Sequence, residues 1–259
     1  MRIGEPLDRT ELHVWYWVTE RVSASDLDEA VAMLSADERA RHERFMFDVD
    51  RRDFACAHAL VRRALSRHGG PDPSSWTFDI GPNGKPSLSA ESAARLPAAF
   101  NLSHTRGLVA CVIGLGVDRA LGVDVERSDR AIETDVIADR YFSAAEQEQL
   151  RQAPPGDRAA LFCEFWTIKE AYLKARGTGL AEPLNGSTVD LAIDGAIGFV
   201  TDASLERPSW SFALAAPAPH ARLAVACAGG DIARISIHSA DPMSPPVAWR
   251  RQSFTDASR

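Results

Sequence analysis

Two acids spaced two apart, Asp124 and Glu126, stand in the apolar stretch Leu121-Gly122-Val123-Asp124-Val125-Glu126. Side chains on a strand alternate between faces. Both carboxylates therefore share one face with Cβ atoms about 6.5–7 Å apart, while Val123 and Val125 point the other way. Hard oxygen donors on a rigid strand suit magnesium, which takes one or two protein carboxylates and completes its octahedron with water and phosphate. By itself the same pattern also reads as a solvated strand face. Glu170 and Lys174 are spaced i, i+4 and so lie on one helix face. Alone they read as an exposed ion pair. Their helix, however, is crowded with Phe162, Phe165, Trp166, Ile168, Tyr172 and Leu173, which sets the pair at the margin of a buried element where proton affinities shift.

Three further groups fit an anionic ligand. Asn101-Leu102-Ser103-His104 ends a strand with donors for phosphate oxygens, although a histidine after an apolar strand is more often structural. Gly84-Lys85-Pro86 holds one ammonium in a tight turn. Arg39, Arg41, Arg44, Arg51 and Arg52 form a basic cluster, either a solvated helix face or a cradle for phosphates.

The elements that must position these groups are legible along the chain. Strands are expected at Leu12–Val18, Trp76–Ile80, Phe100–Ser103, Leu108–Gly114, Leu121–Glu126, Ser187–Ile193, Trp210–Ala215 and Arg222–Ala228. Ser35, with Glu38 three residues on, opens a helix as a capping box. Further helices are expected at Asp50–Arg67, Ala144–Gln152 and Arg158–Arg176, the last stopped by Gly177-Thr178-Gly179. A faint internal echo pairs Trp76-Thr77-Phe78 with Trp210-Ser211-Phe212, and Val109-Ala110-Cys111 with Val225-Ala226-Cys227. It suggests two halves, residues 1–118 and 119–238. Residues 239–259 turn rich in Pro, Ser, Asp and Arg and read as a flexible tail.

Composition bounds the function. A net charge of -7 excludes a dedicated nucleic-acid binder, so any polyanion must meet a local basic cluster. Four scattered cysteines, without a Cys-x-x-Cys pair, read as buried thiols in a reducing cytoplasm. The start, Met1-Arg2-Ile3-Gly4-Glu5-Pro6, has no signal-peptide core, and no apolar run is long enough for a membrane. Of the 29 basic residues only three are lysine, Lys85, Lys169 and Lys174. A bias that strong leaves lysine where a compact ammonium serves better than a guanidinium.

In order, the motifs Gly84-Lys85-Pro86, Phe100-Asn101-Leu102-Ser103-His104, Gly122-Val123-Asp124-Val125-Glu126, Phe165-Trp166-Thr167-Ile168-Lys169-Glu170-Ala171-Tyr172-Leu173-Lys174 and Gly177-Thr178-Gly179-Leu180 resemble 4′-phosphopantetheinyl transferases of the surfactin-synthetase-activating type. The resemblance covers about residues 35–230. It implies an α+β fold of two similar α/β subdomains in pseudo-twofold arrangement, with coenzyme A and magnesium in the cleft between them. It also implies magnesium on Asp124, Glu126 and Glu170. Arg41, Arg52, Lys85, Ser103, His104, Asp124 and Lys174 would bind coenzyme A. Glu38 intrudes where a basic residue is common.

The reaction implied is transfer of the phosphopantetheine arm to a serine of an apo acyl or peptidyl carrier domain, with release of 3′,5′-ADP. Glu170 would act as the base, directly or through a bound water, and Lys174 would stabilise the transition state or protonate the leaving phosphate. A cytoplasmic monomer that acts on neither nucleic acid nor membrane is expected. Arg127–Ser143, with Arg127, Arg130, Arg140, Ile132, Val136, Ile137 and Phe142, offers a mixed basic and apolar surface for the carrier. The rival readings are a magnesium-dependent nucleotide phosphohydrolase and a coenzyme A binding module without catalysis.

Overall fold

The computed structural model describes residues 7–68, 70–81, 84–129, 134–179, 183–191, 195–201, 209–229, 232–241, 244 and 246–253. Outside them lie Met1–Pro6, Pro82 and Asn83 of the expected turn, Arg130 and Ile132, Leu180, and the end of the strand expected to reach Ile193. In chain order the elements are β1 (Glu11–Val18), α1 (Ala24–Ala32), α2 (Ala36–Glu43), α3 (Asp48–Arg67), β2 (Phe78–Ile80), β3 (Pro86–Leu88), α4 (Ala90–Arg95), β4 (Ala98–Thr105) and β5 (Leu108–Leu115). Then follow β6 (Leu121–Arg127), α5 (Thr134–Tyr141), α6 (Ala144–Gln152), α7 (Arg158–Arg176), β7 (Ser187–Asp190), β8 (Gly198–Thr201), β9 (Trp210–Ala215), β10 (Ala221–Ala228), β11 (Arg234–Ser239) and β12 (Trp249–Ser253). The fold is α+β, with the chain divided into one unit of residues 1–119 and 233–246 and a second of 120–232 and 247–259.

In the first unit the sheet order is β11-β1-β5-β4. Period-two alternation in β1 sends Trp15 and Trp17 into a core with Ala55, Cys56, Ala59 and Leu60 of α3. The small α3 residues leave room for the two indoles. Asp53, also on α3, is buried because it is satisfied: it accepts from Gly107 N at 2.9 Å, at the β4–β5 turn, and from the Thr19 hydroxyl. Ser35 and Glu38 form the expected capping box at α2. Glu38 then reaches His58 Nδ1 and Arg62 Nη2, each at 2.8 Å, which pins α2 to α3.

The second unit has the order β12-β9-β10-β6, with α7 packed on the sheet. Its core gathers Phe162, Phe165, Ile168, Tyr172 and Leu173 of α7 with Phe212, Leu214, Ala224 and Ala226 of the sheet. Gly177 ends α7 in the left-handed conformation at φ 70°, where a Cβ would be strained. Both units thus read strand, long helix, then a hairpin whose second strand pairs with the first strand: β1, α3, β4–β5 and β6, α7, β9–β10. Val109-Ala110-Cys111 and Val225-Ala226-Cys227 fall on the corresponding strands β5 and β10. The other echo is not a repeat in space, because Trp76-Thr77-Phe78 leads into β2 while Trp210-Ser211-Phe212 opens β9.

The C-terminal segment departs from the loose tail expected of 239–259. Trp249–Ser253 pairs antiparallel with β9, and β11 just before it runs parallel to β1. β11 alternates Ile235 and Ile237 with Arg234, Ser236 and His238, whereas β12 (Trp249-Arg250-Arg251-Gln252-Ser253) carries almost no apolar signal; both are margin strands that pair with a neighbouring backbone. The four cysteines are buried and free, as expected.

Candidate active site

β6 lies at the margin of its sheet and meets α7 along one face. Gly122 fixes how close the two come: a Cβ there would stand 2.0 Å from Ala171 O and 2.5 Å from Ala175 N. Only glycine allows that approach. Ala226 and Ala224, the β10 partners of Gly122 and Asp124, are small for the same reason. Sequence reasoning missed this role of Gly122, Ala171 and Ala175, because it is a property of two elements in contact and of neither alone.

The approach brings the expected groups together. Asp124, two residues beyond Gly122 and on the same face, accepts from Lys174 Nζ at 2.6 Å. The carboxylate is buried while the ammonium keeps partial access to water. Glu170, one turn earlier on α7, is half-buried. Burial raises its pKa, the charge of Asp124 raises it further, and Lys174 opposes both. Burial first, and then the charge of Glu126, lifts the Cys163 thiol to about 12. Next to Glu126, Arg222 of β10 is its cross-strand partner and donates from Nε to Glu164 at 2.9 Å.

The chemistry this permits is specific. A carboxyl whose proton affinity is raised is a better proton acceptor than an ordinary carboxylate, and an ammonium beside it can neutralise charge that develops on an oxyanion. The magnesium set is arranged less simply. Among the described residues no three His, Cys, Asp or Glu side chains are gathered as a ready metal cage. Asp124 is held by Lys174, and its charge acts on Glu170. The donors are nonetheless all hard carboxylate oxygens, and magnesium needs only one or two of them when phosphate and water complete the shell. In that sense the residues fit the ion.

The other expected groups sit in the first unit. Lys85 precedes β3, which packs beside β4, and burial lowers its pKa. Ser103 is buried and His104 exposed, on opposite faces of β4, as alternation requires. Arg41 is exposed, with its guanidinium 5.5 Å from the Phe54 ring centroid, and Arg52 Nε lies 3.7 Å from Asp53 Oδ1.

One expectation needs correction. Lys169, singled out with Lys85 and Lys174 but given no role in the site, is fully buried in an ion pair with Glu146. The surface expected over Arg127–Ser143 loses members to the interior and to local pairing. Phe142 is buried in the second core, and Arg127 is bound by Asp129, while Val136 remains exposed.

Comparison with known proteins follows the same boundaries. A family model described as the 4′-phosphopantetheinyl transferase superfamily matches residues 120–228, and one for the N-terminal part of 4′-phosphopantetheinyl transferases matches 19–114. The chain is similar to 4′-phosphopantetheinyl transferase HetI of Nostoc sp., 34% identical over 220 residues, covering 85% of this chain and 88% of that one. It is also similar to a 4′-phosphopantetheinyl transferase of Bacillus subtilis, at 31% over 175 residues, 67% of this chain and 74% of the relative. A third relative, 4′-phosphopantetheinyl transferase Sfp of Bacillus subtilis, is 29% identical over 177 residues, 68% and 75% of the two chains.

Proposed function

The chain belongs to the 4′-phosphopantetheinyl transferase family, and from that premise we propose that it moves the phosphopantetheine arm of coenzyme A onto a serine of an apo acyl or peptidyl carrier protein. The observation that carries this reading is Asp124 set between Lys174, at 2.6 Å, and the raised carboxyl of Glu170. A binding module has no use for such a pair.

The carrier serine oxygen bonds to the β-phosphorus of coenzyme A, the bond to 3′,5′-ADP breaks, and the leaving phosphate takes the electron pair. Glu170 receives the serine proton, and burial, with the charge of Asp124, raises its proton affinity above that of an ordinary carboxylate, which favours the transfer. Lys174, oriented by Asp124, neutralises charge on the transferred phosphoryl oxygens or protonates the leaving phosphate. Magnesium, held by Asp124, Glu126 and Glu170, would supply charge neutralisation on the pyrophosphate. In the first unit, Lys85, Ser103 and His104 serve as phosphate contacts, and Arg41 and Arg52 as nucleotide contacts. We assign the enzyme to the cytoplasm as a monomer, on its four buried free thiols and its two like units in one chain. No helix among the described residues is long and apolar enough to cross a membrane.

Incubation with coenzyme A, magnesium and apo carrier protein tests the reading. A mass gain of ~340 Da on the carrier serine is expected, since the arm travels with its phosphoryl group. Free phosphopantetheine without carrier modification would instead mean hydrolysis, and no product at all across a panel of carriers would leave only binding.

A further inference from the structure

Lys169 is the lysine the proposed reaction does not use, yet it is the most enclosed charge in the second unit. Its side chain and that of Glu146 are both 0% exposed. The ammonium has three donors, and all three are spent: on Glu146 Oε2 at 2.8 Å, Leu184 O at 2.8 Å and Ser187 O at 2.5 Å. Glu146 is equally committed. It accepts from Ser143 N at 2.7 Å, closing the capping box of α6, and from Val189 N at 2.7 Å at β7. Three segments of chain therefore converge on one side of α7.

The opposite requirement holds on the sheet side. There α7 rests on Gly122, Ala224 and Ala226 through Ala171 and Ala175. These small residues permit close approach along β6 and β10, while Phe165, Ile168 and Tyr172 pack into the core beside them, with the Tyr172 and Trp210 ring centroids 4.8 Å apart. A roll of about 20° carries a side-chain tip, at a radius of roughly 5–6 Å, through about 2 Å. A misplacement of about 1 Å at reacting groups can cost ~10²-fold in rate. Apolar packing is not directional, whereas a fully satisfied buried network is, and so it can set the roll to within that tolerance.

We propose that Lys169 and Glu146 are a positioning pair: by locking the roll of α7 they aim Glu170 and Lys174 at the margin of β6. Its kinetic consequence rests on the transferase reading; its geometric one does not. A guanidinium could not replace the ammonium, because its planar fork does not match three acceptors placed around one point. That accounts for a lysine in a chain that otherwise uses arginine almost throughout.

The test uses Glu146→Gln/Lys169→Met, which removes both charges and keeps an amide acceptor for the capping box. At a temperature where the variant is shown to be folded, kcat should fall ~10–100-fold with KM for coenzyme A and carrier changed less than about twofold. Its crystal structure should show Lys174 Nζ moved off Asp124 Oδ1 by more than about 1 Å. A folded variant that keeps both kcat and the 2.6 Å contact overturns the proposal. Should the double variant not fold, Glu146→Gln alone is judged by the same two measurements. If the wild-type protein transfers nothing, the function reading fails, and the crystallographic distance still decides the positioning role.

Discussion

The two units share a chain path but not a chemistry. In the first, the outer edge of β1 is covered by β11, and the face toward α3 carries Trp15 and Trp17. In the second, the extra strand β12 joins β9 on the far side, so β6 is left at the margin, and its α7 face carries Gly122, Asp124 and Glu126. The buried charges of the long helices differ in the same way. On α3, Asp53 is consumed by Gly107 N and Thr19, and Arg62 by Glu38. On α7, Lys169 is consumed by Glu146 with both side chains fully buried, whereas Lys174 pairs with Asp124 and keeps 30% of its side chain exposed. Each unit has one capping-box glutamate that also receives a buried cation from its long helix, Glu38 with Arg62 and Glu146 with Lys169. The shared scaffold is the strand, the helix and this brace; what differs is the set of side chains that the first strand turns toward its helix.

The sharpest way to break that contrast is Glu170→Gln. It keeps the shape of the half-buried side chain and removes the proton acceptor. Turnover should fall ~10²–10⁴-fold with coenzyme A binding retained, as read by steady-state kinetics beside a direct binding assay. Unchanged turnover would move the base elsewhere.

A matched pair of substitutions comes next. Asp124→Ala should abolish turnover together with its response to magnesium, while the melting temperature changes little, since Lys174 keeps access to water. Asp53→Ala, on the long helix of the first unit, strands a buried amide and a hydroxyl and should cost roughly 3 kcal/mol of stability, seen by urea denaturation. The contrast between units fails if Asp53→Ala is the one that silences a fully folded enzyme.

Much of this was legible before the fold was known, and the reasons are local. α6 and α7 span the residues expected, Ala144–Gln152 and Arg158–Arg176, and Gly177 stops α7 as its type and place predict. Asp124 and Glu126 share a face because alternation on a strand is obligatory. What sequence alone left dark depends on partners distant in the chain. β12 is a strand because β9 offers an edge to pair with, not because Trp249–Ser253 looks like one; β11 carries the alternation of Ile235 and Ile237 but is not among the strands expected. Lys169 and Lys174 differ by one turn and a fraction, which is enough to send one into a brace and the other to Asp124. Glu38, read as an intrusion into a basic cluster, is instead the brace of the first unit, its pKa held near 2. Burial raises it, but the hydrogen bond and charge of His58, with Ser35 N and Arg62, outweigh that.

A smaller effect should separate the units by pH. His13 of β1 lies against His238 of β11, Nδ1 to Nε2 at 3.3 Å, and its ring centroid is 4.6 Å from that of His68 at the end of α3. Burial first, then the charges of His68 and His238, lower its pKa from 6.5 to about 4; Glu11 opposes them and Arg234 adds to them. The folded state therefore prefers the neutral ring. The stability this contributes is complete above pH 6.5 and is lost as pH falls toward 4, at most about 3 kcal/mol. Urea midpoints followed by tryptophan fluorescence should decline over that window, because Trp15 stacks on His238 at 4.4 Å. His13→Gln should flatten the decline; an equal slope in the variant would assign it to other groups.

The smallest expected effect tests whether the brace is truly common to both halves. Ser35→Ala and Ser143→Ala each remove the hydroxyl that caps the N3 amide, at α2 and α6, while leaving Glu38 and Glu146 in place. Each should cost about 1 kcal/mol of stability, since an exposed cap contributes that much wherever it occurs. Neither should alter kcat, because the glutamates keep their bonds to Arg62 and Lys169. A loss of turnover confined to Ser143→Ala would mean that the capping hydroxyl itself helps hold the roll of α7, and the two braces would then differ in function as well as in sequence.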